Sequence, residues 1–214
     1  MPVPFLFYRR HIGDFRRHKT KTIMLYDEVK QKLLLFLETT PLDFVNAQEM
    51  KANLQNYFED QLCGCSFSQE KYDKEGGGYF RISTLKRSGE TVLIELVYKC
   101  EFHSKADSAR MYEFWEKVEK LERMPYHSLV LFLTDRKAFL SDKQGQYAAF
   151  ATTNGRHVSN KLLTFPNGAS KGRHDLSIQG TYILQWNCLK KSDRTFFYLM
   201  TEVNSQMSNT KNLK

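Results

Sequence analysis

Apolar positions between Lys21 and Leu37 fall at Ile23, Met24, Leu25, Val29, Leu33, Leu34, Phe36 and Leu37, the spacing of an amphipathic helix. Thr39-Thr40-Pro41 stops it, because the residue before a proline is pushed out of the helical region. A second helix is predicted from near Asn46, with Met50, Leu54, Tyr57, Phe58 and Leu62 three or four apart, ending at Gly64. Gly76-Gly77-Gly78 reads as a turn or joint. Tyr79–Leu85 and Thr91–Cys100 read as strands joined by a hairpin turn at Ser88-Gly89. Val92 to Tyr98 is almost continuously apolar, as expected of a central strand covered on both faces.

Ser104 to Arg123 predicts a third helix, capped by Ser104 or Asp107. Met111, Phe114, Trp115, Val118 and Leu121 share one face, and Glu113, Glu116, Lys117, Glu119, Lys120 and Glu122 form a charged face opposite. His127–Thr134 then reads as another buried strand. Strand, helix, strand over that length is a βαβ unit, so the two strands should run parallel. In the last third, turns at Asn154-Gly155, Pro166-Asn167-Gly168 and Gly172 separate strand-like runs at Leu176–Cys188 and Thr195–Val203. The order predicts an α/β fold: a mixed central β-sheet with a βαβ crossover and flanking helices. It spans residues 23–203, between an arm at 1–22 and a polar tail at 204–214.

Composition narrows the class. The 214 residues are 41% hydrophobic and 26% charged, which fits a globular chain and excludes global disorder. No apolar run approaches the roughly 20 residues of a spanning helix, so no membrane role is expected. Cys63, Cys65, Cys100 and Cys188 form neither a CxxC pair nor a disulfide framework, and free thiols are expected. The apolar stretch Val3–Tyr8 precedes the positive charges and is too short for a signal peptide, and the arm lacks the serines of a transit peptide. The expected compartment is therefore cytoplasmic.

The net charge is +8, and it is unevenly placed. Arg9, Arg10, Arg16, Arg17, Lys19 and Lys21 stand against Asp14 alone, so the arm holds +5 and the other 192 residues +3. Such an arm suits phosphates or an acidic protein surface, and equally a solvated tail. Arg156 after Asn154-Gly155, and Lys171 and Arg173 around Gly172, lie in polar basic loops able to contact a phosphate backbone. The scattered histidines form no HExxH pair.

The most informative string is Glu95-Leu96-Val97-Tyr98-Lys99. A carboxylate in an apolar strand must be paired, protonated or metal-bound, because burying an ion is costly. Alternation places Glu95, Val97 and Lys99 on one face.

With the flanking strand, helix and strand, this string resembles the core of the PD-(D/E)XK, or restriction-endonuclease-like, superfamily. More narrowly it resembles a bacterial group with an E-L-K-Y-K-T strand. Lys120-Leu121-Glu122-Arg123, Phe132-Leu133-Thr134-Asp135, Ile178–Tyr182, Gln185-Trp186 and Phe196–Val203 match later pieces in order. The resemblance implies a metal-dependent DNA nuclease: Mg²⁺ held by an aspartate and the E-x-K glutamate, with the lysine assisting the attacking water. It also implies duplex DNA as partner and homodimerisation as an option.

The chain departs from that pattern at two positions. Arg81 stands where the family has its aspartate and Val97 where it has its lysine, so Glu95 alone stays in register. An Arg81–Glu95 ion pair displacing the cation is the expected outcome. Lys99, two pleats on, with Glu49 or a loop carboxylate (Asp73, Glu75, Glu90), is the set for a rearranged active site. Three readings stay open. The first is a degenerate nuclease-like protein that binds nucleic acid or a partner, in bacterial defence or on a mobile element. The second is an active Mg²⁺-dependent DNA endonuclease. The third is an interaction protein whose arm docks on an acidic partner.

Overall fold

The computed structural model describes residues 24–73, 79–100, 106–142, 147–165 and 173–203. The arm residues Arg9, Arg10, Arg16, Arg17, Lys19 and Lys21, and also Lys171, Glu75 and the Asp73 side chain, lie outside the described residues.

Two helices open the fold, α1 (Leu25–Thr39) and α2 (Ala47–Gln61). Thr40 is extended ahead of Pro41 and ends α1, as the proline requires. Asn46 caps α2, its side-chain oxygen accepting from the Gln48 and Glu49 N–H groups at 2.9 Å. A meander follows: β1 (Ser66–Asp73), β2 (Tyr79–Arg87) and β3 (Glu90–Lys99). Ser88 and Gly89 both have positive φ, the geometry of a two-residue type I′ hairpin. Then come α3 (Asp107–Glu122), β4 (His127–Thr134), two short 3₁₀ turns, and the hairpin β5 (His157–Leu163) and β6 (Leu176–Ile183). The chain closes with β7 (Trp186–Lys191) and β8 (Arg194–Val203).

The main sheet has order β1-β2-β3-β4-β8-β7, and β5-β6 form a separate pair. β3 and β4 run parallel from Val92↔His127 to Lys99↔Thr134, as the βαβ reading requires, and every other pairing is antiparallel. α1 and α2 cover one face, over a core that includes Val92, Ile94, Leu96 and Tyr98. α3 and the β5–β6 hairpin cover the other, over Leu93, Val97, Trp115, Phe132 and Tyr182. Both central strands are therefore buried on both sides, which explains their unbroken apolar sequence. No helix of the described residues is long and apolar enough to cross a membrane.

Two sequence expectations need correction. The stretch Leu176–Cys188 is two strands in different sheets, β6 and β7. Asp107 is the first residue of α3 rather than its cap: the N-cap is Ala106, no described side chain caps it, and Ser104 lies outside the described residues. The charged face of α3 is mostly covered: between Met111 and Glu122 only Glu116 is exposed. The physical reason is that α3 lies between two β layers, so its polar side chains must find partners inside the protein.

Candidate functional site

Glu95 points from β3 toward α3 and is 1% exposed. The β2–β3 ladder runs from Arg87↔Glu90 to Ser83↔Ile94, and no described pairing of these strands continues past it. β1 stays with β2 on to Tyr79. β2 thus leaves β3 one residue before Glu95, and the carboxylate sits where the two strands part.

Lys117 of α3 donates to Glu95 Oε2 at 2.7 Å, and Lys120 donates to Oε1. The two lysines are three apart, on one stripe of the helix. Lys120 also lies over the Phe80 ring, 4.7 Å from its centroid, and Lys117 is 3.9 Å from Glu113. Lys51 of α2 is half-buried and close enough for the Glu95 and Lys117 charges to act on it. One buried carboxylate is therefore surrounded by three lysines.

The electrostatics follow from that surplus. Burial alone would raise the Glu95 pKa, but the charges of Lys117, Lys120 and Lys51 override it and hold the group at about 2. Burial pulls Lys117 down, yet Glu95 and Glu113 outweigh it and lift Lys117 above the ordinary lysine value. For Lys120 and Lys51 burial wins, and both are lowered. Glu95 stabilises one close cation fully but cannot compensate three.

The expected Glu95–Arg81 ion pair is not formed. Register explains why: Arg81 has the parity of Ser83, which pairs with Ile94 on the α1–α2 side of the sheet. Arg81 thus projects away from Glu95. It is exposed and lines a cavity with α2 residues instead.

The other candidate residues lie elsewhere. Val97 is fully buried in the core under α3. Lys99 is 1% exposed, and its pKa is lowered by burial, with Arg136, Asp107, Arg110 and Asp135 as the charges that act on it. Glu49 is exposed and accepts from the Val45 N–H, tying off the start of α2. Glu90 accepts from the Leu25 N–H at 2.7 Å and caps α1. No described carboxylate joins Glu95, and no three described His, Cys, Asp or Glu side chains gather as a metal-ligand group. Magnesium takes hard oxygen ligands. Here each oxygen of Glu95 already accepts from an ammonium, so this donor set does not suit Mg²⁺.

Arg156 is half-buried and turned toward the chain itself. Its guanidinium donates to the carbonyls of Ala148, Ala149 and Ala151, pinning the second 3₁₀ turn. Arg173 stacks over Tyr112 and Phe165, at 5.1 and 5.8 Å from the ring centroids.

Lys51, Lys117 and Lys120 were not singled out by their sequence. A signal was available: a buried Glu95 that stays ionised needs a cation, and α3 carries lysines at the correct spacing. No family model fits the chain, and no curated protein and no solved structure matches it.

Proposed function

We propose that this protein is a restriction-endonuclease-like domain that has exchanged metal-dependent cleavage for metal-free binding of duplex DNA. The observation that carries the reading is the occupation of both Glu95 oxygens by Lys117 and Lys120, at the position where the family pattern needs a cation ligand. The sheet order β1-β2-β3-β4, with α3 crossing between parallel β3 and β4, is in keeping with the resemblance. So is the parting of β2 from β3 beside the glutamate. Phosphate contact is favoured by the lysine surplus around Glu95, by exposed Arg81, and by the +5 carried in residues 1–22.

Two measurements test this. Supercoiled plasmid incubated with the protein and Mg²⁺ or Mn²⁺ should stay uncut. Metal-dependent cleavage that Glu95→Ala abolishes establishes an active nuclease and overturns the degenerate-site reading. Duplex binding across a salt series should weaken steeply, since each phosphate contact releases counterions. A flat salt dependence, or no binding at low salt, removes DNA and leaves an acidic protein as the partner of the arm.

A further inference from the structure

A cavity of about 490 Å³ lies between α2 and the outer strands, lined by Gln48, Lys51, Gln55, Gln69, Arg81 and two alanines. That volume is within the roughly 300–1,000 Å³ of small-molecule sites. Gln48, Lys51 and Gln55 fall three and four apart on α2 and form one stripe facing the groove. Gln69 and Arg81 come from β1 and β2, on the sheet face that alternation turns toward α2.

The lining carries two cations, three amides and no carboxylate. Three other surface cavities each include an acid: Asp135, Glu90, and the pair Glu113 and Glu116. Among the described residues, neither Lys51 nor Arg81 has a carboxylate within ion-pair distance. The nearby acid, Glu95, is already held by Lys117 and Lys120. A half-buried ammonium without a counterion is costly, and burial lowers the Lys51 pKa accordingly.

We propose that this groove is a binding site for a phosphomonoester dianion, held between Lys51 and Arg81 with the Gln48 amide as a further donor, since the Gln55 and Gln69 amides already donate to Glu59 and Ser83. The charge match selects the class. A phosphomonoester carries about −1.5 to −2 at neutral pH, equal to the two cations, whereas a backbone diester carries one charge. A guanidinium presents a planar fork to phosphate oxygens, and primary amides supply neutral N–H donors. Free phosphate, a nucleotide and a phosphorylated strand end share this chemistry. The inference stands whether or not the chain binds duplex DNA.

The test is a titration of inorganic phosphate against chloride at fixed ionic strength, read as the thermal midpoint of the whole chain. A saturable rise is expected in wild type and in Lys190→Gln, on the opposite sheet edge. Arg81→Gln and Lys51→Gln should each bind on the order of tenfold more weakly. Arg81 is exposed, so Arg81→Gln should fold normally and keep the wild-type midpoint in chloride. A rise that does not saturate and is equal in Arg81→Gln is the general effect of an excluded anion, and overturns the site. No rise at all also overturns it. Repeating the titration with a nucleoside 5′-monophosphate, and with 5′-phosphorylated and 5′-hydroxyl oligonucleotides, assigns the source. Phosphate protection that persists without salt-dependent duplex binding upholds this site and sinks the DNA reading alone.

Discussion

Lys117 on α3 and Glu95 on β3 meet at 2.7 Å across the helix–sheet interface, with Glu95 only 1% exposed. The pair is the electrostatic centre of the α3 side of the sheet. It sits in a surplus of positive charge, because Lys120 shares the same carboxylate and Lys51 stands close by.

The surplus makes the two sides of the cluster unequal. Glu95→Gln strips the compensating charge from three lysines and should cost about 3–5 kcal/mol, the range for breaking a buried pair. Lys120→Met removes a cation that burial already disfavours and keeps its packing on Phe80, so it should cost under half as much. Urea unfolding of both variants checks the ranking. Equal losses would mean that Lys120 is needed to hold Glu95.

Acid stability should carry the signature of the same carboxylate. The Glu95 pKa falls from 4.5 when unfolded to about 2 when folded. Its contribution is therefore complete above about pH 4.5 and lost as pH falls from there toward 2. Unfolding free energies between pH 6 and roughly 2.5 should fall more steeply for wild type than for Glu95→Gln. The variant keeps the part due to Glu70 and Glu202, which are also lowered, by Lys86 and by Lys30 with Tyr26.

A second clip joins α3 to the β5–β6 hairpin. Glu122 accepts from Gln179 N at 2.9 Å, Gly180 N at 2.6 Å and Tyr182 Oη at 2.8 Å. A Cβ at Gly180 would lie 2.6 Å from Tyr182 Oη and 2.9 Å from Glu122 Oε1. Gly180→Ala should therefore force Tyr182 away from Glu122 and destabilise by about 1–3 kcal/mol. Glu122→Ala should cost a similar amount by leaving those donors without an acceptor. Thermal melts give the loss, and a changed near-ultraviolet dichroism reports the displaced tyrosine.

On the opposite face, the Tyr98 hydroxyl donates to the carbonyls of Leu42 at 3.0 Å and Phe44 at 2.9 Å, fastening the α1–α2 connection to the sheet. Tyr98→Phe keeps the ring and removes the donor, leaving both carbonyls without it, for about 1–3 kcal/mol. Hydrogen exchange around residues 42–46 should rise in this variant while the β3–β4 amides stay protected.

The most legible elements are those whose pattern is enforced by burial. β4 is found over His127–Thr134 as read, and β3 within a residue, since strands covered on both faces admit few polar residues. β1 and β5 carry no such pattern. Ser66–Asp73 holds mostly polar residues on an edge, and β5 is exposed at five of seven positions, with Asn160 at positive φ beside an irregular register. Such strands are held mainly by backbone pairing with a neighbour, which leaves little trace in side-chain type.

The sequence alone determined that Glu95 lies in a buried strand and must be paired, protonated or metal-bound, because an isolated ion in an apolar strand is too costly to leave unpaired. It could not choose the cation. Arg81 was the nearer candidate by pattern, but the β2–β3 register turns it to the opposite face and the ladder ends at Ser83↔Ile94. Only the packing of α3 on β3 made Lys117 and Lys120 the partners of that charge, with Lys51 near enough to feel it. Parity along a strand is local, whereas the face that meets a helix depends on pairing between segments far apart in the chain.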